Sequence, residues 1–147
     1  MFKLFPDPGV IPTLPAPKVG ELITINVDGL PPYKDVHFSI RNPRHPHYER
    51  FVKLRDTAVK VMNGRCWLVG PVRLRLIVFG DMMGKTLTDY VSGIEDTLDG
   101  SHGEQFTYLL IVFQDDAQIC EIESERKLSE QPHYTVIVEA MADEQPG

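Results

Sequence analysis

At 147 residues, 42% apolar and 24% charged, with a formal net charge of −6, the chain has the balance of one globular domain, and wholesale disorder is excluded. No apolar run approaches the roughly 20 residues that span a bilayer, and Met1–Lys18 lacks the apolar stretch of a secretory leader. Cys66 and Cys120 lack a CxxC spacing and read as reduced thiols rather than a disulfide or a zinc site, so the expected compartment is the cytoplasm.

Residues 1–20 are expected to form a proline-rich arm, since five of the twelve prolines fall between Phe2 and Lys18 and no apolar period runs through them. Glu21–Val27 alternates and is β-branched, which predicts a strand ended by Pro31-Pro32. Tyr33–Pro46 is a polar, basic loop, long enough to carry function. From about Pro46 apolar residues recur at three-and-four spacing through Met62, and Asn63-Gly64 accepts the left-handed angles that close a helix. Pro71–Phe79 alternates as a second strand, and Gly80–Gly84 is a loop. A second helix is expected over Leu87–Leu98, stopped by Asp99-Gly100.

Beyond Ser101–Gln105, a polar loop, Phe106–Phe113 reads as an apolar strand or as a loop with apolar anchors. Ala117–Ser124 is an imperfectly alternating strand, and His133–Ala140 is the last one. The order predicts an α+β fold, a mixed β-sheet with two helices packed on it, within one domain over 21–141 followed by a tail over 142–147.

Charge is unevenly distributed. Lys34–Arg75 holds ten Lys/Arg against three Asp/Glu, whereas Leu76 to the end holds three against fifteen. A basic half suits a polyanion, and an acidic half suits cations; charged helix surfaces are the plainer explanation. Lys34, Arg41, Arg44, His45, Arg50 and Lys53 surround the start of the first helix, where they suit the phosphates of a DNA backbone or simply form an exposed polar loop. In the acidic half Asp89 opens the second helix behind Thr86 and Thr88, either of which suits a cap. Asp96 lies two turns on, and Asp115-Asp116 precedes a strand. Carboxylates converging from a helix and a strand end suit Mg²⁺ or Mn²⁺, which take oxygen ligands; acids at a helix start also simply complement the dipole.

The elements from Glu21 to Met141 resemble the RusA-like family of Holliday junction endonucleases. The likeness is carried by Gly84-Lys-Thr-Leu-Thr-Asp-Tyr90, Glu95-Asp-Thr-Leu-Asp-Gly100 and Asp115-Asp-Ala-Gln-Ile119, which stand where the family has Asp-x-Asp-Asn, Asp-Ala-Leu and Asp-Asp-x-Gln-[Ile/Val]. The chain departs from the first motif: Thr86 and Thr88 occupy its two aspartate positions in an ungapped alignment, where Asp89 falls on its Asn, whereas with one residue deleted Asp89 replaces the second aspartate. Ser92 stands where the family carries a helical lysine, with Lys85 nearby on the preceding loop. An insertion lies around Gly100–Val112. The resemblance implies a metal-dependent endonuclease resolving branched DNA in recombination or repair. In that reading Asp89, Asp115, Asp116 and Lys85 are catalytic; Asp89, Asp96, Asp115 and Asp116 hold Mg²⁺ or Mn²⁺. The partners are branched or double-stranded DNA and a second copy of the chain, because paired cuts require two-fold symmetry. The departures equally admit a RusA-fold protein that binds DNA without cutting it.

Overall fold

The computed structural model describes residues 11–33, 35, 37–98, 112–113 and 116–142, with only the backbone of Asp116. Four strands and two helices follow in the order β1 (Leu22–Asp28), α1 (Tyr48–Met62), β2 (Val72–Phe79), α2 (Leu87–Leu98), β3 (Ile119–Lys127) and β4 (His133–Ala140), with a 3₁₀ turn at Asp116–Gln118. The sheet order is β1-β4-β2-β3. β4 runs antiparallel to both neighbours, and β2 lies parallel to β3. That parallel pair needs a crossover, which α2 supplies. The fold is α+β, with a mixed sheet and two helices packed on it. The first and last strands pair with each other, so both ends of the 21–141 region enter one sheet.

Alternation explains which side of the sheet is covered. Ile23, Ile25 and Val27 of β1, Val72, Leu74, Leu76 and Val78 of β2, and Tyr134, Val136 and Val138 of β4 are buried in one cluster. Leu54, Ala58 and Met62 of α1 join it, as do Tyr90, Ile94 and Leu98 of α2. The alternate residues face away from the helices, among them Leu22, Arg73, Arg75 and Ile77. No helix among the described residues is long and apolar enough to cross a membrane.

Asn63 ends α1 at φ 50°, in the left-handed region, and its N–H bonds to the Val59 carbonyl, as the Asn-Gly pair predicts. Gly93 lets α2 approach the loop after β1. A Cβ there would strike the Pro32 carbonyl and lie 2.6 Å from Tyr33 Cα. The other end of α2 is closed by three donors from elsewhere. Arg41 Nε donates to the Asp96 carbonyl at 2.7 Å, Arg55 Nη1 to that of Thr97 at 3.3 Å, and the Val112 N–H to that of Leu98 at 3.2 Å. These carbonyls have no partner inside the helix, so each bond fills a vacancy the helix itself leaves.

Two strand boundaries depart from expectation. Ala117 belongs to the 3₁₀ turn rather than to β3, and β3 continues to Lys127 rather than Ser124. β3 is an edge strand with most residues exposed. It is held by pairing with β2 and by charge, so the apolar alternation that marks a buried strand is weak there. Of the expected element Phe106–Phe113, only Val112 and Phe113 are described. Both are buried, and Phe113 bridges Leu68. Ser101–Gln105 lies outside the described residues.

Candidate functional site

The basic half of the sequence sorts into three groups once folded. Arg65, Arg73 and Arg75 pair with carboxylates. Arg65 meets Glu21, Arg73 lies 2.7 Å from Glu121 and 3.4 Å from Glu139, and Arg75 lies 2.8 Å from Glu125. Arg41 and Arg55 close the end of α2. Arg44, Arg50, Lys53 and Lys60, joined by Lys85 from the loop before α2, form no ion pair with a carboxylate among the described residues. The two halves of opposite charge are therefore partly stitched together across the sheet, and the cations left over gather around α1.

Tyr33 gathers two of those cations, Lys85 and Arg50. It is buried to 6% exposure by the close packing of Gly93 against the Pro32–Tyr33 backbone. Lys85 Nζ lies 4.2 Å from its ring centroid and Arg50 Cζ lies 5.6 Å away, both within cation–π range. His45 meets the ring edge-on at 4.9 Å, and Tyr90 does so at 6.3 Å. Arg50 makes one long hydrogen bond, 3.4 Å from Nη1 to the Pro31 carbonyl. Beside it a groove of about 310 Å³ opens between the end of β1, the start of β4 and α1, lined by Asp28, Glu49, Arg50, Lys53 and Tyr134 among others.

Not every expected phosphate contact belongs to this surface. His45 is 3% exposed, and its Nδ1 accepts the His47 N–H at 2.9 Å. Burial pushes its pKa below the ordinary 6.5, so it packs inside the loop beside Tyr33 rather than standing on the surface, where a contact to a DNA backbone is expected. Arg41 is half-buried, and its guanidinium donates to the Asp96 carbonyl at the end of α2. Arg44 and Lys53 are exposed, as a phosphate-binding role requires. Lys34 lies outside the described residues.

The acidic constellation is only partly assembled. Asp89 Oδ2 accepts the Thr86 N–H at 2.9 Å, and Thr86 Oγ1 accepts the Asp89 N–H at 3.1 Å. This reciprocal pair is a capping box at the start of α2. The Thr86 hydrogen bond, with a smaller contribution from the Lys85 charge, holds the Asp89 carboxyl below its ordinary pKa. Asp96 is seven residues along, about 10.5 Å of helical rise, while the Asp89 carboxylate points back to the preceding turn. The expectation that Asp89 and Asp96 share an ion is therefore not met by the Asp89 carboxylate as it stands, which serves the start of α2.

Asp96 lies on the last turn of α2, which is tied through Val112 to Leu68, just ahead of β2. The backbone of Asp116 belongs to the same end of the sheet. Gln118, two residues on, donates through its side-chain amide to the Leu68 and Gly70 carbonyls at 2.9 and 2.8 Å. Gln118 is thus a clamp that fixes the 3₁₀ turn against the segment leading into β2. Asp115 and the Asp116 side chain lie outside the described residues, and so does any metal geometry they make. Among the described residues, no group of three His, Cys, Asp or Glu side chains is gathered as for a metal ion.

The sequence alone does not single out Tyr33, whose ring meets Lys85 and Arg50, or Tyr134, which lines the groove. The only signal for Tyr33 was its position after two prolines in a basic loop, and for Tyr134 there was none, because it reads as an ordinary inward strand residue. No protein-family model and no curated protein matches this chain.

Proposed function

We propose that this chain acts on branched DNA as a RusA-like endonuclease. The cationic surface around Tyr33 docks duplex arms, and Asp115-Asp116, assisted by Asp96, holds Mg²⁺ or Mn²⁺. The observation that carries the reading is the set Arg44, Arg50, Lys53 and Lys85. These cations remain without carboxylate ion-pair partners among the described residues in a protein of net charge −6. Charges spared from pairing in an acidic protein are available for phosphates. A divalent cation bound at the aspartates supplies an activated water and neutralises charge at the scissile phosphate. Gln118 positions the aspartate pair, and Lys85 and Arg50 orient the backbone electrostatically. A second copy related by a two-fold axis provides the second cut, and we assign its contact to the uncovered sheet face bearing Leu22, Ile77 and Ile137.

A second reading, a protein of this fold that binds DNA without cutting it, is favoured by one specific observation. Asp89 is engaged in capping α2, so a metal site built from this chain has fewer carboxylates than the family pattern. Labelled four-way junctions incubated with Mg²⁺ or Mn²⁺ separate the two. The endonuclease reading expects paired, metal-dependent cuts that Asp116→Asn abolishes while binding persists. Binding with no metal-dependent cuts selects the second reading, and no junction binding at low salt overturns both.

A further inference from the structure

We propose that the groove between the end of β1, the start of β4 and the first turns of α1 binds a phosphomonoester, with Arg50 and Lys53 on its dianion and Asp28 and Glu49 on the hydroxyls of its organic body. The groove measures about 310 Å³ and is lined by Val27–Leu30, Glu49, Arg50, Lys53, Pro132 and Tyr134. That volume lies at the lower end of small-molecule sites and far exceeds what a bare oxyanion fills.

Three observations converge on the ligand class. Arg50 and Lys53 are three residues apart on α1 and therefore neighbours on one helix face. Neither forms an ion pair with a carboxylate among the described residues. Two cations side by side match a dianion better than a single carboxylate, and the guanidinium fork suits phosphate oxygens. They also stand in the first two turns of a 15-residue helix, where the dipole favours negative charge.

The third observation is Tyr134. It lines the groove, is 1% exposed, and its hydroxyl has no hydrogen-bond partner among the described residues. A buried hydroxyl without a partner calls for a reason, because such groups are rare in native structures. Arg50 is near enough to act on it electrostatically, and Arg50 itself is held by the Tyr33 ring, the neighbouring Tyr90 and a long bond to Pro31, with no carboxylate among the described residues. A phosphate oxygen drawn in by Arg50 gives that hydroxyl its missing acceptor. Asp28 and Glu49 repel a bare anion but accept hydrogen bonds from sugar hydroxyls, which selects a phosphomonoester with a hydroxylated body over inorganic phosphate.

The inference shares Arg50 and Lys53 with the nuclease reading but requires neither a metal nor a junction, so each can fail without the other. The test is two-dimensional NMR of the full chain titrated with inorganic phosphate, thymidine monophosphate and thymidine. The expected result is saturable shifts at Asp28–Leu30, Arg50, Lys53 and Tyr134 with thymidine monophosphate, weaker ones with phosphate, and none with thymidine. Arg50→Gln is expected to weaken binding roughly tenfold or more, with partial rescue in Arg50→Lys. Tyr134→Phe is expected to weaken it several-fold while raising the thermal midpoint, because the orphaned hydroxyl is gone. If Arg50→Gln does not fold, the exposed Lys53→Gln carries the test. The absence of saturable shifts, equal binding of thymidine, or unchanged affinity in a folded Arg50→Gln or Lys53→Gln overturns the proposal. Oligonucleotides with and without a terminal phosphate tell a strand end from a free nucleotide as the source. Junction binding measured in parallel shows separately whether the DNA reading holds.

Discussion

Two side chains show how local chemistry decides between a structural and a functional role. Asp89 is both a carboxylate where a metal ligand is expected and half of the capping box with Thr86. Substitution separates the roles, because Asn keeps an acceptor for the Thr86 N–H but is a poorer ligand for a hard cation. Asp89→Asn is expected to keep nearly all stability, whereas Asp89→Ala and Thr86→Ala each lose about 1 kcal/mol in urea unfolding. If Asp89→Asn also leaves any metal-dependent cutting intact, Asp89 is only a cap. His45 makes a second case through pH. Burial lowers its pKa from 6.5, reinforced by the charges of His47 and Arg50 and opposed by Asp35 and the nearby Tyr33 backbone. Below pH 6.5 the unfolded chain takes up a proton that the native state resists, so His45 costs stability as pH falls from 6.5 toward its lowered native value. The urea midpoint is expected to drop between about pH 7.5 and about pH 5.5, and the drop is expected to shrink in His45→Gln. An identical drop in both proteins would assign the effect to other histidines.

The helices show what an element demands of its neighbours. α2 presents Gly93 to the Pro32–Tyr33 backbone so closely that no Cβ fits, and the contact also seats Tyr33 among its cations. Gly93→Ala must push backbone rather than a flexible side chain. It is expected to cost stability at the upper end of ~1–3 kcal/mol, although alanine is the better helix former. Calorimetry checks this, and a raised thermal midpoint in Gly93→Ala would refute the close approach. α2 was legible over Leu87–Leu98 because its apolar period and Thr86 cap are local signals; Asp99-Gly100, the expected stop, lies outside the described residues. α1, β2 and β4 were legible for the same reason. β3 was less so, since an edge strand paired through Glu121 and Glu125 to Arg73 and Arg75 needs no apolar alternation. The candidate site was legible as residue types and not as roles. Local sequence marks Arg41 and Arg50 alike as basic, and only the tertiary structure sends one to the end of α2 and the other to a groove. Nor does spacing reveal that the Asp89 carboxylate turns away from Asp96.

For the whole molecule, the partition of cations matters more than the net charge of −6. Arginines already neutralised across the sheet release few counterions on binding DNA, whereas cations without carboxylate partners release one for each phosphate they meet. The two classes are distinguishable by how affinity changes with salt. Replacing Arg44 and Lys53 together by Gln is expected to weaken junction binding and flatten the slope of log affinity against log salt by close to 2, about 0.9 for each lost contact. Replacing Arg73 and Arg75 by Gln removes the same formal charge but leaves Glu121, Glu123 and Glu125 unpaired on the edge strand. That variant is expected to lose stability with the slope unchanged, so fluorescence anisotropy over a salt series tells the two apart. A slope that flattens equally in both variants would mean that only total charge matters, and the surface around Tyr33 would then have no special claim on DNA. A slope that changes only with Arg44 and Lys53 would tie binding to the end of the molecule where α1 begins. That end would then carry the DNA arms, leaving the opposite sheet face free for a second copy of the chain.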